Sequence, residues 1–141
     1  MPNPWAIVYF KTPDGEVPAA DFLEACPNKV EAKLLAVLIA VAKAPPPQFS
    51  GGGLWEAMHG DMAGYHEIRT QGPNREQFRL FCRLENGTED ELSARGFAGP
   101  AIAVIGGLRK PWMTKFSHND YQRVRDLGSA YLNQLPRSIA T

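Results

Sequence analysis

The stretch GYHEIRTQGPNREQFRLFCRL, residues 64–84, decides how the fold is read. Its two halves alternate apolar and polar residues around a short polar link. Successive side chains of a strand point to opposite faces, so alternation at period two marks a strand with one buried and one open face. The pattern predicts strands over Tyr65–Thr70 and Gln77–Leu84, with residues 71–76 as the loop between them. In the second strand Phe78, Leu80, Cys82 and Leu84 share one face, and Arg79, Phe81 and Arg83 share the other. In the first, His66 and Ile68 face one way and Tyr65, Glu67 and Arg69 the opposite way. A carboxylate and two guanidiniums are therefore expected together on the open face of a sheet.

The flanking segments supply the layers. Trp5–Phe10 is aromatic and β-branched and stops at Lys11-Thr12-Pro13-Asp14-Gly15, which reads as a strand and a turn. Pro18 suits the first turn of a helix expected over Val17–Ala25, with Phe22 and Leu23 facing the core and Pro27 ending it. Asn28, with Glu31 three residues on, reads as the N-cap of a second helix over Lys29–Lys43, whose apolar residues recur at helical spacing. Residues 44–53, rich in proline and glycine, read as a connector. Leu54–Met58 fits a short strand or one helical turn, and His59-Gly60-Asp61 a turn. Residues 86–100 are expected to be a surface loop, and Ala101–Leu108, small and apolar, a central strand. Ser117-His118-Asn119-Asp120 has the form of a capping box and opens a helix to about Asn133, with Tyr121, Val124, Leu127 or Gly128, and Tyr131 on its inner stripe. Strand, helix, helix, three or four strands and helix make an α+β domain: a mostly antiparallel sheet with helices on one face and the other face open.

The chain has 141 residues, the size of one domain. Its 44% apolar and 21% charged residues suit a water-soluble fold with its own core. Cys26 and Cys82 read as buried thiols rather than a disulfide. No signal-peptide pattern opens the chain, and its longest apolar segment, Leu34–Ala42, is too short for a bilayer, so a cytoplasmic protein without membrane contact is expected. Zero net charge conceals an asymmetry: residues 1–61 hold 4 basic and 7 acidic residues, whereas residues 62–141 hold 11 and 8. Residues 101–141 hold 6 basic and 2 acidic residues, net +4, and all nine arginines follow residue 68. Arginine is the side chain best shaped for phosphate.

A face with two guanidiniums, a carboxylate and aromatic rings can hold a phosphodiester and stack on unpaired bases. In RNA the 2′-hydroxyl can attack the adjacent phosphorus once a base removes its proton, and the reaction then requires no metal or other cofactor. It asks for a base, cations for the transition-state charge and an acid for the 5′-oxygen. Glu67 fits the base, and Arg69 and Arg79 the cations. Arg109 and Lys110 would emerge at the end of the apolar strand. Each has a plainer reading as an ordinary solvated residue on a strand face or strand end. His66, with the parity of Ile68, reads as a satisfied core histidine; His59 lies in a turn and His118 in the first helical turn. Three scattered histidines without Cys or Asp at ligand spacing give no metal site.

In order and spacing these segments resemble the RelE/HigB superfamily of toxins from type II toxin–antitoxin modules, in its phage-derived branch. The likeness rests on the strand ending Tyr9-Phe10-Lys11-Thr12, the Phe22-Leu23 helix pair, Gly64-Tyr65-His66-Glu67-Ile68-Arg69, Phe78-Arg79-Leu80-Phe81, Gly107-Leu108-Arg109-Lys110-Pro111 and the capped last helix. It implies a RelE-like fold and a metal-independent endoribonuclease that cleaves messenger RNA, commonly on the ribosome. It also implies a helix-turn-helix antitoxin as partner; the oligomeric state stays open. Glu67, Arg69, Arg79 and Lys110 would be the catalytic positions, and Tyr65, Phe81, Arg109, Lys115, Phe116 and His118 would line the substrate. The family often has Tyr or His where this chain has Phe116, which can stack but cannot donate a proton. Lys115, His118 and His59 are then the candidate acids. The alternatives are a non-catalytic RNA- or protein-binding module of the same fold, or a toxin acting on transfer RNA.

Overall fold

Residues 65–84 form an antiparallel hairpin in the structure, a computed structural model that describes residues 3–44 and 54–141. The connector expected at 44–53 lies almost wholly outside these described residues. The elements are β1 (Ala6–Phe10), α1 (Pro18–Ala25), α2 (Asn28–Lys43), β2 (Trp55–Ala57), β3 (Tyr65–Gln71), β4 (Gln77–Glu85), α3 (Glu89–Ala94), β5 (Ala101–Lys110), α4 (His118–Leu132) and β6 (Ile139–Ala140). The strands make one six-stranded sheet in the order β2-β3-β4-β5-β1-β6. Among the described residues only β1 and β5 run parallel; the other pairs are antiparallel. The α+β class and the mostly antiparallel sheet agree with the sequence reading. No helix among the described residues is long and apolar enough to cross a membrane.

Local signals account for most element ends. Pro18 opens α1, where a missing N–H costs nothing. Ser117 and Asp120 cap α4 reciprocally: Ser117 Oγ accepts from the Asp120 N–H at 3.0 Å, and Asp120 Oδ2 from the Ser117 N–H at 2.7 Å. The expected cap at Asn28 is displaced by one residue. Pro27 holds the N-cap position with no side-chain cap, and its carbonyl accepts from the Val30 and Glu31 N–H groups. Residues 86–100 are not all loop. Thr88 and Glu91 form a second capping box that starts α3. Leu54–Met58 resolves to the strand β2, and Pro73–Arg75 is a short turn within the expected loop, with Asn74 and Arg75 at positive φ.

The helices do not all lie on one face. α1 and α2 cover the face of Ile68, Phe78, Leu80, Cys82, Ile102 and Val104, and Leu34, Leu38 and Val41 are fully buried against it. α4 and the segment through Phe97 cover much of the opposite face, over Val8, Phe10, Phe81, Ala103 and Ile105. Each fully buried Leu, Ile or Phe contributes about 1.5–3 kcal/mol of transfer free energy, so both layers are needed to stabilise the sheet. Two glycines set the approach of these layers. A Cβ on Gly107 would meet the Phe22 ring of α1 at 2.2 Å, and one on Gly128 would meet the Tyr65 hydroxyl at 1.8 Å.

One irregularity directs β5. Phe81 pairs with Gly106 and Cys82 with Val104, so Ile105 is an extra residue on β5. Such a bulge reverses the parity of everything beyond it. Ala101, Ala103 and Ile105 pack toward α4, yet after the bulge it is Leu108 that does so, and Lys110 that reaches Asp120 of α4. Arg109 points to the α1 side, over the Phe78 ring.

Candidate active site

The part of the α4-side face that α4 leaves uncovered holds Glu67 and Arg69 from β3 and Arg79 from β4. Arg69 and Arg79 are directly paired across the hairpin, and Glu67 pairs with Phe81. Glu67 is the buried member: its side chain is 12% exposed, Oε1 lies 3.6 Å from Arg69 Nε, and Oε2 has no hydrogen-bond partner. Burial pushes the Glu67 carboxyl above the ordinary carboxylate range, and the Arg79 and Arg69 guanidiniums offset only part of that rise. Arg69 also pairs with Glu56 of β2. Arg79 gives its hydrogen bonds to neutral acceptors, the Phe78 carbonyl at 3.2 Å and Gln77 Oε1 at 3.0 Å, and lies 5.2 Å from the centre of the Phe116 ring. No carboxylate forms an ion pair with Arg79 among the described residues, and the Glu67 carboxylate acts on its charge through space.

Tyr121 completes the cluster, and the sequence reading placed it only on the core stripe of α4. Its ring meets the edge of Phe81 and tilts against Phe116, each with centroids 6.1 Å apart. Burial, and then the Glu67 carboxylate, push the Tyr121 phenol above its ordinary value, so it holds its proton. The one available sequence signal was its position four residues after Ser117, which puts it on the first exposed turn of the capped helix.

Other expected site residues are spent elsewhere. Lys110 Nζ lies 3.3 Å from Asp120 Oδ2, so Lys110 fastens α4 to the sheet beside the site. The Ser117 N–H first, and Lys110 with it, hold Asp120 down at about 2. Arg109 is bound bidentately by Glu76, at 2.7 and 2.9 Å, and donates to the Ala25 carbonyl. From the α1 side of the sheet it secures the 72–76 turn at the end of the hairpin, and these bonds direct its guanidinium away from Glu67 and Arg79. Phe81 is fully buried and supports Tyr121, and Tyr65 is buried against Gly128 with Arg83 over its ring. Neither presents a face to a base. Lys115, His118 and His59 are exposed, and none of their side chains makes a hydrogen bond or ion pair with the described residues; the His59 carbonyl accepts from the Met62 N–H at 3.2 Å. His66 is half-buried and stacks on Trp55 at 4.8 Å, as its parity implied. Its Nδ1 has no partner, however, and burial pushes its pKa down. Cys26 and Cys82 are buried free thiols.

The arrangement can accept a proton at Glu67, hold an anion at Arg79 and Arg69, and give a proton from Tyr121. Comparison of the chain with protein-family models, curated proteins and solved structures gives no match. The functional reading therefore rests on these residues and their geometry.

Proposed function

We propose that this protein is the toxin of a type II toxin–antitoxin pair, with a RelE/HigB-like fold, and that it cleaves messenger RNA on the ribosome. The observation that carries the reading is Glu67, a largely buried carboxylate with one unpartnered oxygen set among arginines on a sheet face. A carboxylate with a raised pKa is a better base than an ordinary one, provided it is ionised. Glu67 removes the 2′-hydroxyl proton, and the 2′-oxygen forms a bond to the adjacent phosphorus. Arg79 and Arg69 stabilise the extra charge on the phosphoryl oxygens. The bond from phosphorus to the 5′-oxygen breaks, and the Tyr121 hydroxyl gives that oxygen its proton. The products are a 2′,3′-cyclic phosphate and a 5′-hydroxyl end. A helix-turn-helix antitoxin would inhibit by covering this face.

Controlled expression in a bacterial host tests the reading, with growth scored and RNA 5′ ends mapped. Wild type should arrest growth and produce new ends within messenger reading frames. Arg79→Ala should lose about 10²–10³-fold in rate, as for an oxyanion donor. Glu67→Gln and Tyr121→Phe should each lose about 10²–10⁴-fold, the range for a positioned base or acid. A folded, well-expressed wild type that neither arrests growth nor cuts RNA would refute the proposal and favour a non-catalytic binding face. Cuts confined to transfer RNA would keep the chemistry and change the target.

A further inference from the structure

Beside the site, two short loops carry unusual backbone and an exposed aromatic ring. Asn74 and Arg75 in the β3–β4 turn, and Met113 between β5 and α4, all have positive φ, at 57°, 59° and 65°. None is glycine, so each conformation is strained and persists only where the surroundings over-determine it. Those surroundings are visible. Gly72 N–H donates to the Glu76 carbonyl at 2.8 Å, and Thr114 N–H to the Pro111 carbonyl at 3.2 Å. Glu76 is clamped by Arg109, and the Gln77 amide donates to the Thr114 carbonyl at 2.9 Å. The two loops are thus tied to each other and to the end of the sheet.

What they present is Trp112, 50% exposed, and Met113, 78% exposed. The Arg75 guanidinium lies 4.7 Å from the Trp112 ring centre. A cavity of about 290 Å³ opens beside them, lined by Pro73, Asn74, Glu76, Pro111 and Trp112. A large ring held in water on a strained, rigid support is costly if it serves only the fold. The one acid of the two loops, Glu76, is taken by Arg109, so the remaining local charge is positive. Gln77 links the platform to the site, since it also accepts from Arg79.

We propose that Trp112 and Arg75 form a stacking platform for an unpaired nucleobase next to the phosphate held at Arg79. A flat ring and a guanidinium plane offer stacking surfaces that any base can use, and the nearby cations suit the strand's phosphates. Fixing the ring in advance removes the ordering cost of binding. The inference deepens the ribonuclease reading and rests on it: the platform selects single-stranded RNA and sets how the strand lies across Glu67.

Fluorescence anisotropy with a labelled, short single-stranded oligoribonucleotide of mixed sequence tests it, in a Glu67→Gln background that prevents cleavage. Loss of one base–aromatic stack, about 1–3 kcal/mol, corresponds to weakening by about 5- to 150-fold in Trp112→Ala. Trp112→Phe should restore most of the affinity. The salt dependence should stay unchanged in Trp112→Ala, because no charge is lost. An abasic strand with the same phosphates should bind both proteins alike. If Arg79→Ala weakens binding and Trp112→Ala does not, the platform is overturned and the ribonuclease reading stands. If neither variant weakens binding, both fall.

Discussion

Glu67 keeps one carboxylate oxygen where no partner reaches it, and desolvation there favours the protonated form. In the unfolded chain the same group titrates near its ordinary value, about 4.3. A folded-state pKa raised above that value means folding favours the proton. The favourable contribution is full below the unfolded pKa and is lost as pH rises through the folded one. Near pH 7 the ionised Glu67 therefore works against stability. Glu67→Gln should raise the thermal midpoint at pH 7, and the gain should shrink toward pH 4. An unchanged or lowered midpoint at pH 7 would show that the arginines more than offset the burial. Opposite effects on stability and on RNA cleavage are the signature of a group retained for chemistry. Glu67, Arg69 and Arg79 were legible because strand parity is a local property. Tyr121 was not: on a helical stripe a tyrosine under a sheet and one at the sheet's open margin look alike.

Among the elements, α4 carries the clearest steric constraint. Gly128 sits inside the helix with the Tyr65 hydroxyl where a Cβ would be. In an exposed helix interior, Gly→Ala gains about 0.8–1.0 kcal/mol. Here overpacking costs about 1–3 kcal/mol and should win, because a contact at 1.8 Å forces backbone or ring to move. Gly128→Ala should lower the urea midpoint with the slope unchanged; a higher midpoint would show that Tyr65 moves freely. The caps at Ser117 and the helix pair α1–α2 were readable from short-range pattern. α3 was equally local, since Thr88-Glu89-Asp90-Glu91 is a capping sequence, but the glycines around it made the segment read as loop. The bulge at Ile105 has no comparable mark. It is defined by which residue of β4 each residue of β5 faces, and it decides that Lys110 rather than Arg109 reaches the α4 side.

Across the molecule, one buried network joins segments far apart in the chain. Glu85, 3% exposed at the end of β4, accepts from Tyr131 of α4, from Arg137 at 3.0 Å and from Arg95 at 3.2 Å. It fixes the last turns of α4 and the chain leading to β6 against the sheet. Removing one partner of a buried ion pair leaves uncompensated charge and costs about 3–5 kcal/mol. Glu85→Ala should lose that much in denaturant unfolding, while a loss under about 1 kcal/mol would mean that water replaces the carboxylate. Periodicity, caps and turn residues specified by themselves the strands, most helices and the face shared by Glu67, Arg69 and Arg79, because each depends on neighbours a few residues away. Only the tertiary structure decided that α4 closes the second face, that Arg109 is tied to Glu76, that Tyr121 joins Glu67 and that Trp112 stands beside Arg75. Those pairings depend on register and layer packing between segments distant in sequence, where no local pattern carries the information.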